Sequence, residues 1–169
     1  MENSYSPELW HDFFVVLSSS SAALIGLLFI ATSLHLNEIA NNPVLHRRAY
    51  YSTCYLLIAF VDAVLVLIPQ PMFILGAELV AINLFGAWLA FRITYTFFRN
   101  QKDFRHGGAT IHRAVIFIGS FLLGIAGGAA LIERLNWGIY LVAICTVGLL
   151  VGVVLGAWTI TLAVGQSEK

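Results

Sequence analysis

"FVDAVLVLIPQPMFILGAELV", residues 60–80, decides the fold. Two apolar runs meet at Pro69-Gln70-Pro71, and neither proline can continue a helix, because each lacks the N–H that the backbone ladder needs. Each flanking run, about 49–68 and 71–98, supplies the roughly 20 apolar residues that a helix needs to cross a hydrocarbon core about 30 Å thick. The stretch is therefore the tip of a transmembrane hairpin. It also carries two acids, Asp62 seven residues before Pro69 and Glu78 seven residues after Pro71. Seven helical residues rise about 10 Å, so the spacing places both carboxylates at one depth on neighbouring helices.

Composition agrees with the hairpin. Hydrophobic residues make up 59% of the 169-residue chain and charged residues 11%. Soluble domains carry about 25% charged residues, so this chain is read as an all-α, polytopic membrane helix bundle forming a single domain, 1–169. Five spans are expected, at about 13–36, 49–68, 71–98, 111–132 and 137–164. Ser6-Pro7-Glu8 and Asn42-Pro43 are helix-start signals, a capping side chain followed by a proline whose missing N–H costs nothing there. Asn136 is the expected cap of the last span. Short connections make sequential helices antiparallel neighbours.

The basic residues give an orientation. Arg47, Arg48, Arg99, Lys102, Arg105, Arg113 and Lys169 all fall on one side, against Arg134 on the other, where the acidic N-terminal stretch with Glu2 and Glu8 also lies. Cytoplasmic loops are enriched in Lys and Arg, so the N-terminus is expected outside and the C-terminus inside. Trp10, Trp137 and Tyr140 would anchor the outer boundary; Tyr50, Tyr51, Tyr95 and Trp158 would anchor the inner one. Arg92 is expected to reach for the inner interface.

Helices in lipid associate by close packing of small residues. Gly148, Gly152 and Gly156 line one face of the fifth span, and Ser120, Gly124, Gly127 and Gly128 face them from the fourth. Ser18, Ala22 and Gly26 form a third such stripe on the first span. Those stripes serve either intramolecular packing or, as the number of seams suggests, a homo-oligomer.

Ionisable residues inside a membrane usually face a bundle interior or a wet cavity. Asp62 and Glu78, with Asp12 and Ser19 on the first span, would line an outward-facing vestibule able to hold an inorganic cation or a proton. The alternative is structural: Asp62 accepts hydrogen bonds that pin the bundle, and the dipole at the start of the third span favours Glu78 there. The rest of the sequence excludes more than it offers. Cys54 and Cys145 lie at different depths, and neither a CxxC motif nor a Cys/His cluster is present, so no metal site or cofactor is expected. The histidines His11, His35, His46, His106 and His112 all sit at or beyond the span ends. HExxH, GxSxG and a Walker glycine loop are absent, which argues against an enzyme. Nothing suggests nucleic-acid binding.

The first span, with its Trp10-His11-Asp12-Phe13-Phe14 opening and its Ala22-Ala23-Leu24-Ile25-Gly26-Leu27-Leu28-Phe29 helix, resembles that of small bacterial multi-pass inner-membrane proteins with an aromatic start and an AAL-x-GLLF-like first helix. The resemblance covers residues 10–35, and some members of that group are associated with modulation of a membrane protease. It implies a bacterial plasma membrane and carries over no catalytic or binding residue. Two functions follow as expectations: a small oligomeric cation or proton channel or transporter built on the paired carboxylates, or a non-conducting scaffold or regulator of another membrane protein.

Overall fold

The computed structural model describes residues 7–99 and 107–167. Of the residues named above, Glu2, Ser6, Lys102, Arg105, His106 and Lys169 lie outside the described residues, as do the side chains of Glu8, Arg48, Arg99, His112, Arg113 and Trp158. The described chain is helical: α1 Pro7–Leu34, α2 Leu36–Asn41, α3 Pro43–Leu67, α4 Met72–Arg99, α5 Gly107–Ile132 and α6 Gly138–Ser167. All but α2 are long and apolar enough to cross a membrane. In lipid, a spanning backbone must satisfy its own polar groups, and a helix does so within one segment.

The helix ends follow local chemistry. Asn42 Oδ1 accepts the N–H of Leu45 at 3.4 Å ahead of α3. The Pro71 carbonyl accepts the N–H groups of Ile74 and Leu75, at 2.9 and 3.1 Å, and so opens α4. At the end of α5, Arg134 takes the left-handed conformation, φ 60°. There the Leu135 N–H reaches back to the Ala130 carbonyl at 2.8 Å and the Arg134 N–H to Leu131 at 3.0 Å. This paired closure normally uses glycine. The first span starts at Pro7, as Ser6-Pro7-Glu8 suggests. It stops at Leu34, and the short α2, not foreseen, fills the approach to Asn42-Pro43. The last span begins at Gly138, one residue after the expected Trp137.

α4, α5 and α6 form the tight half of the bundle. α3 lies across it, packing closely on α1 and α6 and less closely on α4, although the turn joining α3 and α4 is the shortest between spanning helices. The seams are made of glycine. A Cβ on Gly76 would meet the Gly128 carbonyl at 2.6 Å, and one on Gly128 would meet the Gly76 carbonyl at 2.8 Å. On the other face of α5, a Cβ on Gly127 would lie 2.8 Å from the Gly138 carbonyl, and one on Gly152 would lie 2.8 Å from the Phe117 ring. Gly148 abuts Ser120. The glycines of α5 thus serve two neighbours: Gly124 and Gly128 face α4, where α6 was expected, and Gly127 faces α6. Gly156 is buried on α6. By contrast, Gly26 on α1 has nothing within 4 Å of its Cβ position and Ala22 is exposed, so this end of the Ser18-Ala22-Gly26 stripe is unfilled among the described residues, while Ser18 is half-buried.

Candidate functional site

The apolar interior divides into two clusters. One is centred on Tyr55, Phe117, Phe121 and Leu149, the other on Phe14, Leu79, Leu131 and Ile139. Polar side chains mark the boundary between them. On α3 it falls between Ala59 and Ala63, at Asp62. On α4 it falls between Leu79 and Leu89, at Asn83. On α6, Cys145 belongs to the first cluster and Ala143 to the second.

These groups are bonded together. Asn83 Nδ2 donates to both carboxylate oxygens of Asp62, at 3.1 Å each, and to the Leu79 carbonyl one turn back at 2.9 Å. Cys145 Sγ donates to Asn83 Oδ1 at 3.4 Å. The Leu79 bond fixes which end of the amide faces Asp62, because only the NH₂ end can donate to a carbonyl. Gly124 makes room for this arrangement, since a Cβ there would collide with the Asn83 Oδ1 and lie 2.9 Å from its Nδ2. Four helices therefore meet at one polar knot: α3 supplies the acid, α4 the amide, α6 the thiol and α5 the space. Asp62, Asn83 and Cys145 are each 0% exposed, as is Thr146 beside Cys145, whose hydroxyl returns to the Val142 carbonyl at 2.8 Å.

The two carboxylates are not joined to each other. Glu78, half-buried, accepts a hydrogen bond from Gln70 Nε2 at 2.8 Å, and the same amide reaches the Leu65 carbonyl at 3.4 Å. Glu78 thus ties the turn to α4, while Asp62 reaches five residues further along α4 to Asn83. Five residues rise about 7.5 Å, and that stagger is what separates the acids. Asp12 and Ser19 are both exposed on α1. A cleft of about 620 Å³ does exist at this end of the bundle, lined by Trp10, His11, Val66 to Met72 and Leu75, and by none of Asp12, Ser19, Asp62 or Glu78. The expected vestibule is replaced by a buried knot, a separate turn clasp and two exposed residues.

Among the described residues, no Lys, Arg or His bonds Asp62, and no group of three His, Cys, Asp or Glu side chains has the arrangement of a metal site. Every buried side-chain oxygen and nitrogen among them has a partner. A buried carboxyl with one shared amide donor has two ways to be neutral: it can carry its own proton or hold a small cation. Asn83 is the functional candidate that sequence reasoning missed. The available signal was an amide in the middle of an otherwise apolar span, Ala81-Ile82-Asn83-Leu84-Phe85. Comparison with family models, curated proteins and solved structures gives no match.

Proposed function

We propose that this integral membrane protein is a non-conducting scaffold or regulator of another membrane protein, and that Asp62 serves to lock its helices together. The supporting observation is the burial of Asp62, Asn83 and Cys145 at 0% exposure, with each polar atom bonded inside the bundle. An ion-conducting acid has to meet water or an ion along its route, and ionisable residues that serve pathways face wet cavities. Here the acid faces an amide, with a glycine behind it. The protein is oriented with its N-terminus outside and C-terminus inside a bacterial plasma membrane, and performs no catalysis. The open Ala22-Gly26 end of the small-residue stripe of α1 supports a homo-oligomer or the partner's seat.

A second reading is favoured by one observation: a carboxyl to which, among the described residues, no cation is bonded and one amide donor is shared between its oxygens. In that reading Asp62 is the proton or cation site of a small channel or transporter. Proton and sodium flux into proteoliposomes separates the two. The scaffold predicts rates equal to those of empty vesicles under gradients of either polarity. Flux that Asp62→Asn abolishes, with fold and oligomeric size unchanged, would establish the second reading instead.

A further inference from the structure

The cleft at the turn end of the bundle takes no part in the polar knot. It opens between the starts of α1 and α4, which are not packed on each other among the described residues, and the end of α3 forms its wall. Its volume of about 620 Å³ falls within the roughly 300–1,000 Å³ of small-molecule sites. Trp10, Met72 and Leu75 give it an apolar lining. Trp10 also packs edge-on against Tyr140, with centroids 4.7 Å apart, and Trp and Tyr are the residues that collect at headgroup level.

The polar groups of the cleft come from the proline turn. Leu65 and Leu67 each stand four residues before a proline, so neither carbonyl can receive the N–H that would continue the helix. The Leu65 carbonyl is compensated by the Ile68 N–H at 3.3 Å and by Gln70 Nε2 at 3.4 Å. The carbonyls of Val66 and Leu67 receive no such donor among the described residues. They lie at the negative end of the α3 dipole. Glu78 stands behind Gln70, and this uncharged amide is its one bonded partner among the described residues. Charge and open lone pairs thus favour a cation that can donate hydrogen bonds. The same lining holds donors for an anion: the exposed His11 ring, and the Met72 N–H, which opens α4 without a carbonyl partner among the described residues. A ligand with both charges and an apolar body meets all of these groups.

We infer that the cleft seats the headgroup of phosphatidylethanolamine. Its ammonium donates to the Val66 and Leu67 carbonyls, its phosphate accepts from His11 and the Met72 N–H, and an acyl chain lies along Met72 and Leu75. A primary ammonium brings three N–H donors to those carbonyls, whereas the trimethylated headgroup of phosphatidylcholine brings none. Phosphatidylglycerol lacks the cation altogether. The seat does not depend on whether the protein conducts. It is tested by native mass spectrometry of the delipidated full-length protein titrated with each of the three lipids. The wild type is expected to bind phosphatidylethanolamine about tenfold more tightly than either of the others, the scale of one charged hydrogen bond. Glu78→Gln should weaken that adduct about threefold, because the carboxylate acts across Gln70 rather than by contact. Ile68→Trp, at an exposed position on the cleft wall, should weaken it by filling the space. An unchanged melting temperature verifies that each variant is folded. Equal binding of phosphatidylethanolamine and phosphatidylcholine by the wild type, or an undiminished phosphatidylethanolamine adduct in either folded variant, would overturn the proposal.

Discussion

Replacing Asn83 by leucine tests the polar knot, because it removes the only side-chain donor bonded to Asp62 among the described residues while nearly preserving volume. Of the bonds Asn83 makes, the one to the Leu79 carbonyl is expendable, since that carbonyl also serves the helix ladder. The thiol bond at 3.4 Å is weak. The cost therefore falls on Asp62, left buried with an unanswered carboxyl. An unsatisfied buried polar group costs about 1–3 kcal/mol, whereas ordinary hydrogen bonds between membrane helices average about 0.6 kcal/mol and reach about 1.7. A destabilisation of about 2 kcal/mol is expected. The double variant Asp62→Leu/Asn83→Leu should lie within about 1 kcal/mol of wild type, because exchanging both partners for apolar side chains is often nearly neutral. Reversible unfolding in mixed micelles of increasing dodecyl sulfate content, run as a double-mutant cycle, gives the coupling. A double variant whose loss equals or exceeds the sum of the single losses would refute the account of Asp62 as a bonded knot.

Other substitutions distinguish filled seams from open ones. Gly76→Val should lower stability by about 1–3 kcal/mol, the usual cost of overpacking, since its Cβ would meet the Gly128 carbonyl and the Ile132 side chain; thermal unfolding in detergent reads it. Gly26→Leu should change the stability of the isolated chain by less than about 0.5 kcal/mol, and a reduced particle mass by light scattering would identify the α1 stripe as an oligomer seam. Gln70→Leu should destabilise by about 1 kcal/mol through loss of the Glu78 clasp, with Glu78→Gln milder because the new amide still accepts from Gln70. Single cysteines placed near each terminus in a Cys54→Ser/Cys145→Ser background should be labelled by an impermeant maleimide from opposite sides of the membrane, the N-terminal one from outside.

The bundle was legible because the bilayer leaves the chain few choices. Apolar runs of spanning length, broken at Pro69-Gln70-Pro71 and at the Arg134 turn, become antiparallel helices. That Asp62 would be turned inward was also legible from the cost of exposing it to lipid. Its partner was not. Counting residues outward from a turn assumes two helices in register, and that assumption pairs Asp62 with Glu78. α3 instead crosses α6 and meets α4 with an offset, so the acid lands beside Asn83. Small-residue spacing had a similar limit. It marked α5 as a packing helix, but one stripe of glycines could not say that Phe121, Gly124 and Gly128 face α4 while Phe117, Ser120 and Gly127 face α6. Helix-to-helix assignment depends on crossing angles, which no single helix encodes.

The most direct test of a closed knot uses the native thiols. Cys145 is 0% exposed at the knot and Cys54 is half-buried towards the other end of α3. Membrane-permeant N-ethylmaleimide applied to the protein in liposomes, with modification at each cysteine followed by mass spectrometry, reports whether a small molecule and water reach Asp62. Cys145 should stay unmodified until the protein is unfolded, while Cys54 reacts slowly in the folded state. Alkylation of Cys145 in the folded protein at the rate of an exposed thiol would contradict the closed knot and reopen the case for conduction through Asp62.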